Sequence, residues 1–202
     1  MKLYYSPGAC SLAAHIALRE TGLAFEAVKV EGRGQKTAGS EEYAQVTPKN
    51  YVPALRLDDG EVLTEGTAIL PYVGDLKPDS GLAPAHGTLA RYRLHEWLGY
   101  INSEVHKNFS PFFAPGVTEE QKAATRANLS KRFDFLTQSL EGHEHLLGGG
   151  FTVADAYLFT VLGWCRYGGI DLVQWPTLQS YHQRIAQRPS VQAAMRAEGH
   201  IK

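Results

Sequence analysis

Strand-like and helical patterns alternate along this chain only before residue 65. A short apolar and aromatic run, Lys2–Tyr5, is followed by Pro7-Gly8 and then by helical spacing from Ser11 to Glu20, with Gly22 placed to stop the helix. Residues 25–30 read as a second strand, and if it runs parallel to the first the helix between them completes a βαβ unit. Residues 31–40 are polar and carry three glycines, which predicts a mobile loop or a poor helix. The short runs 54–57 and 61–64 flank Asp58-Asp59-Gly60, the strongest local hairpin signal in the chain. Thr64-Glu65-Gly66-Thr67 then opens a helical stretch to Leu76, with a bend expected at Pro71.

From Asp75 to Gly87 the proline and glycine content rises, as in a linker, and beyond it the pattern is helical throughout. Thr88 is placed to cap one long helix reaching about Asn108. Thr118 and Gln121 have capping-box spacing and open a helix that stops near Gly142. Thr152 and Asp155 form a second such box. The stretch 156–165 behind it is apolar nearly all round and predicts a buried central helix, which makes Asp155 a structural residue. Trp175-Pro176 and Arg188-Pro189 read as two further helix starts. The expected division is 1–77, a linker at 78–87, and an all-helical part at 88–202.

Composition adds boundaries rather than detail. With 202 residues, 44% of them hydrophobic, the chain can bury one good core or two small ones sharing an interface. A formal net charge of −1 carries no nucleic-acid footprint. No signal peptide or membrane span is legible, and two cysteines argue against a disulfide scaffold and for a reducing, cytoplasmic setting.

The candidate chemistry begins at Cys10. It falls at a helix N-terminus, where free N–H groups and the helix dipole favour a thiolate; the other reading is a small packed cysteine. The position three residues on is Ala13, and the only other cysteine, Cys165, lies far away in an apolar stretch, so a dithiol exchange is not expected. A lone reactive thiol implies an external thiol partner, of which glutathione is the abundant cellular one. Glu65-Gly66 presents a second helix N-terminus, suited to a carboxylate, with Glu65 either pairing with an ammonium or simply capping the helix. Val52-Pro53 stands at the mouth of a strand, and a cis bond there would turn the Val52 N–H and C=O toward the Cys10 loop. His143-x-His145 lacks a partner at ligand spacing, and no metal is assigned.

The opening MKLYYSPGACSLAAHIALRETG, the N-Y-V-P-A-L segment, the L-T-E-G turn, and the later H-K-N-F and F-T-V-A-D-A-Y-L-F segments resemble the bacterial beta-class glutathione transferases over essentially the full length. The resemblance implies an α/β thioredoxin-like N-terminal domain (βαβ then ββα) followed by an all-α domain, a homodimer, and a cis proline at Pro53. It implies glutathione as cosubstrate, with no tightly bound cofactor. It also implies catalytic roles for Cys10 and for His106, placed in the cleft with a pKa near neutrality, while Lys107 beside it would favour a Cys10 thiolate. Glutathione would be held by Val52, Pro53, Glu65, Gly66, Gln35, Lys36, Lys107 and Asn102. Two positions depart from the family pattern: Gln35 stands where a lysine is frequent, and Gly99 where an asparagine often reaches the other subunit's ligand. Asn102 lies one turn beyond Gly99, about 4.5 Å along the axis, on the same helical face.

The implied activity is conjugation of glutathione to small hydrophobic electrophiles, with mixed-disulfide (thiol transferase) exchange or reductive dehalogenation through Cys10 in the same class. A non-catalytic ligand-binding or protein-interaction dimer on the same fold is the alternative. No nucleic-acid or membrane partner is expected.

Overall fold

In the computed structural model, which describes residues 1–31, 36–37 and 42–202, strand β1 (Lys2–Tyr5) leads through a tight loop into helix α1 (Ser11–Thr21). Gly22 closes α1 in the left-handed conformation, its N–H returning to the Arg19 carbonyl. Strand β2 (Glu26–Glu31) lies parallel to β1 with Leu3 opposite Ala27. After it come β3 (Lys36–Thr37), the one-turn helix α2 (Tyr43–Val46), the hairpin β4 (Ala54–Arg56) and β5 (Val62–Thr64), and helix α3 (Gly66–Leu76). The sheet order is β3-β2-β1-β4-β5, with β4 antiparallel to β1. Of the stretch 31–40 expected as loop or poor helix, 32–35 and 38–40 lie outside the described residues, and the rest is strand: Val30 and Glu31 of β2 pair with Thr37 and Lys36, so the edge of β2 recruits two residues that lack strand-like patterning. Pro71 lies inside α3, which runs through it as one helix.

Because side chains alternate across a strand, β1 feeds both faces of the sheet. Tyr4 joins a small cluster with Val30, Tyr43, Val46 and Ala54, while Leu3 and Tyr5 join the main core. That core is continuous with the helical part: α1 packs on α3, on α7 (Val153–Leu162) and on α10 (Pro189–Ala197). Polar clamps reinforce the junction. Arg91 makes a bidentate pair with Asp75 at 2.7 Å on each arm, and Glu20 of α1 accepts from Arg188 and Ser190.

Thr88 caps α4 (Leu89–Tyr100), accepting the Arg91 N–H. The long helix expected to reach Asn108 runs on without a break, every junction residue in the right-handed helical conformation, but it is not regular α-helix throughout. The backbone widens into a π-helical segment, Ile101–His106, then tightens into a 3-10 turn, Lys107–Phe109, and α5 (Ser110–Phe113). The Lys107 N–H reaches back five residues to the Asn102 carbonyl. Such widened turns tend to mark functional positions, and propensity does not reveal them. Helix α6 (Glu119–Ser139) starts in the Thr118–Gln121 box. In the second box the Asp155 carboxylate accepts from the Thr152 N–H at 2.8 Å and its hydroxyl at 2.9 Å. It also takes the Leu146 N–H and the Tyr181 hydroxyl, each at 2.9 Å. These four bonds tie α7 to the preceding loop and to α9 (Pro176–Ala186). The short α8 (Cys165–Gly168) follows α7, and among the described residues no helix is long and apolar enough to cross a membrane.

Candidate active site

Cys10 sits just before the first turn of α1. The loop leading to it is held from both sides. Ser11 closes it locally, accepting the Ser6 N–H and donating to the Ser6 carbonyl. From the helical part, Trp164 donates its indole N–H to the Gly8 carbonyl at 2.7 Å, and the Glu198 carboxylate accepts the Gly8 N–H at 3.0 Å. The other Glu198 oxygen meets His15 Nδ1 at 2.9 Å, both side chains wholly buried. Gly8 has φ +71°, and a Cβ there would lie 3.0 Å from His200. Only glycine fits that turn without strain.

Opposite Cys10, the Val52–Pro53 peptide is cis, and the Val52 carbonyl accepts the Cys10 thiol at 3.3 Å. Glu65 carries φ +70°, a conformation rare for a residue with a Cβ and typical of functional sites when surrounding structure enforces it. Its side chain makes no cap on α3. The carboxylate instead takes the Lys49 ammonium at 2.6 Å, which removes the capping reading of this acid.

The π-helical segment supplies the other wall. Tyr157 donates its hydroxyl proton to Asn102 Oδ1 at 2.9 Å, and His106 Nδ1 stands 2.7 Å from the same hydroxyl. A phenol has one proton, so the Nδ1 position must carry its own hydrogen and donate it, which leaves His106 Nε2 as a bare acceptor. His106 also stacks edge-on against Trp164, ring centres 4.7 Å apart.

Two expectations about protonation are overturned. Burial pushes the Cys10 thiol up to about 11; the Cys10 and Ser11 backbone N–H groups lower it by less, and Glu65 raises it further. Cys10 is therefore a protonated hydrogen-bond donor in the free protein, not a depressed thiolate. His106 is not poised near neutrality either. Burial, then the charge of Lys107, brings it down to about 4, so it is a neutral imidazole at physiological pH. The charge of Lys107 bears on His106, which it lowers further. Cys165 is buried in the helical core and raised to about 12.

These residues enclose one cleft with two characters. A polar half of about 520 Å³ is bordered by Cys10, Lys49, Val52, Pro53, Glu65, Gly66, Asn102, His106 and Lys107. An apolar half of about 460 Å³ is walled by Phe113, Trp164 and Tyr167, and Cys10 and His106 belong to both. Of the residues expected at the site, the cleft thus gathers Cys10, His106, Val52, Pro53, Glu65, Gly66, Lys107 and Asn102. Gln35 and the Lys36 side chain lie outside the described residues. Gly99 does not border the cleft, whereas Asn102 does, bonded to Tyr157 in its own chain. Lys49 and Tyr157 were not anticipated. Lys49 stands four residues before Pro53 in T-P-K-N-Y-V-P, a position that could have been flagged, while Tyr157 is hidden inside an apolar helix. Among the described residues no group of three or more His, Cys, Asp or Glu is placed to hold a metal.

A sheet-based N-terminal layer carrying a cysteine loop, joined to a helical part that supplies the opposite wall, defines a class of enzyme. Family models for the glutathione S-transferase N-terminal and C-terminal domains match residues 8–76 and 100–189, and the chain belongs to the glutathione S-transferase family. Its relatives in that family include bacterial proteins that match it over nearly the whole length. The chain is 45% identical over 199 residues to "Glutathione S-transferase GstA" of Escherichia coli O157:H7, covering 98% of this chain and 99% of that one. It is 52% identical, over the whole of both chains and with a TM-score of 0.96, to a sphingomonad glutathione S-transferase complexed with glutathione. The same identity, coverage and score hold for a bacterial beta class glutathione S-transferase of Sphingomonas chungbukensis. The chain is a glutathione transferase of this bacterial beta class.

Proposed function

We propose that the cleft binds glutathione along its polar half, with the cosubstrate's sulfur at the Cys10–His106 junction, and transfers it to a small hydrophobic electrophile seated among Phe113, Trp164 and Tyr167. The observation that carries this reading is the division of one cleft into a charged half and an aromatic half that meet at Cys10 and His106. Both volumes suit small ligands. The glutamyl end lies at Glu65 and Gly66, where a carboxylate faces an ammonium and a helix N-terminus faces a carboxylate. Lys107 takes the glycyl carboxylate. The cysteinyl backbone runs along Val52, and its N–H replaces the Cys10 thiol on the Val52 carbonyl. The freed thiol then donates to the glutathione sulfur and stabilises it as an anion. His106 Nε2 accepts the departing thiol proton and passes it to solvent, because burial disfavours a lasting imidazolium. The sulfur forms a bond to the electrophilic carbon and the leaving group departs with its electron pair.

This assignment favours conjugation over disulfide exchange through Cys10, since a thiol at about 11 is ionised to about one part in ten thousand at pH 7. The functional division of the chain is 1–77 as the glutathione-binding domain, 78–87 as linker and 88–202 as the domain bearing the electrophile side of the cleft, from which His106 and Lys107 also reach glutathione. A homodimer in the cytoplasm completes the proposal; it rests on the family resemblance and on the two free cysteines. Sedimentation as a monomer at micromolar concentration would remove the dimer. The test of the ligand seat is Glu65→Ala, expected to weaken glutathione by about 1–3 kcal/mol in calorimetry, the scale for losing one partner of a charged hydrogen bond. Unchanged affinity in an intact fold would remove the assignment.

A further inference from the structure

We infer that Lys49 is a specificity residue of the cleft, reading the α-carboxylate of the glutamyl end as Glu65 reads its ammonium. The inference rests on the glutathione seat proposed above and adds to it a residue that neither the family pattern nor the sequence pointed to. Among the described residues the charged groups bordering the polar half are Lys49, Glu65 and Lys107, with His106 neutral. Glutathione carries two carboxylates and one ammonium at neutral pH, so ligand and wall match group for group, two cations for two carboxylates and one anion for one ammonium.

Geometry decides which lysine meets which carboxylate. Lys49 Nζ lies 2.6 Å from Glu65 Oε1, and the two side chains are 46% and 56% exposed at the mouth of the cleft. An α-amino acid terminus presents its ammonium and carboxylate on a single carbon. A lysine and a glutamate in contact are the mirror of that arrangement, so both ligand charges can be paired without separating the two side chains. The glycyl carboxylate is at the far end of the tripeptide, and a lysine held at Glu65 cannot reach it. Gly66 and Thr67 add their N–H groups, since the ladder of α3 begins with the Ala68 N–H on the Glu65 carbonyl.

A purely neutralising Lys49 would behave in the opposite way. It would compete with the ligand ammonium for Glu65, and its removal would tighten binding. The test is calorimetry on the whole protein with two probes: glutathione, and the analogue in which the glutamyl residue is replaced by 4-aminobutyryl, which keeps the ammonium and lacks the α-carboxylate. Lys49→Met is expected to weaken glutathione about tenfold, the factor that corresponds to 1.4 kcal/mol, and to leave the analogue's affinity unchanged. Lys49→Arg is expected to restore most of the loss. Glutathione bound as tightly as before or more tightly by Lys49→Met, or an equal loss for both probes, overturns the inference. Glu65→Ala separates this from the parent reading. If Glu65→Ala loses glutathione while Lys49→Met does not, only the role of Lys49 falls; if neither loses it, the seat itself falls.

Discussion

Alkylation of Cys10 as a function of pH examines the least expected feature of the site. Desolvation opposes the thiolate, and the Val52 carbonyl, an acceptor, holds the protonated form. Only the thiolate is alkylated, so each unit of upward shift slows labelling tenfold below the pKa. A rise from 9.0 to about 11 therefore slows iodoacetamide at pH 8 by about a hundredfold relative to an unperturbed cysteine. Mass spectrometry of protein quenched at intervals gives the rates for Cys10 and Cys165 separately. Cys10, which borders both halves of the cleft, is expected to label first at every pH, with a rate climbing one decade per unit to beyond pH 10. Bound glutathione is expected to protect it. A rate that levels off between pH 6 and 8, or label appearing first on Cys165, would overturn the picture of a desolvated, protonated Cys10.

Two further outcomes follow from buried groups. His106 and His182 are both lowered to about 4, chiefly by burial, so the folded state binds fewer protons than the unfolded state between pH 4 and 6.5. The stability that each neutral imidazole contributes is complete above pH 6.5 and is lost as pH falls toward 4. Each loss is on the order of 3 kcal/mol, and urea unfolding at pH 7, 5.5 and 4 checks it; a flat profile contradicts the burial of these two rings as neutral groups. Asp155→Ala removes four hydrogen bonds and leaves the Leu146 and Thr152 N–H groups buried without an acceptor. A loss of about 3 kcal/mol in the unfolding free energy is expected, and a loss below 1 kcal/mol would show that Asp155 is not the anchor of α7.

What could be read in the chain and what could not divides along the range of the interaction. The Asp58-Asp59-Gly60 hairpin, the caps at Thr88 and Thr118 and the box at Thr152 are decided by neighbours a few residues apart, and they appear where the pattern places them. The helix expected through Asn108 is continuous, but its widening over Ile101–His106, where Asn102 and His106 meet Tyr157 from 55 and 51 positions away, is encoded by no local periodicity. Cys10 and His106 both border the cleft, and the protonation that the sequence suggests for each fails for one physical reason. Proximity to a helix N-terminus can be inferred from a string of residues, whereas the desolvation that outweighs it at Cys10, and that adds to Lys107 in lowering His106, exists only after Trp164, Tyr157 and Val52 have closed around them. Lys49 escaped notice because its significance is its contact with Glu65, sixteen positions away.

Whether the two halves of the cleft act together in transfer is decided by steady-state conjugation of glutathione to an aromatic halide such as 1-chloro-2,4-dinitrobenzene. Thioether and halide are followed together, in the native protein and in Phe113→Ala. One halide released per thioether is expected, with saturation in both substrates, and Phe113→Ala is expected to raise the KM for the halide and leave the KM for glutathione unaltered. A protein that binds glutathione yet turns over no electrophile, or a variant whose KM changes for glutathione alone, would contradict the division of the cleft into a glutathione half and an electrophile half.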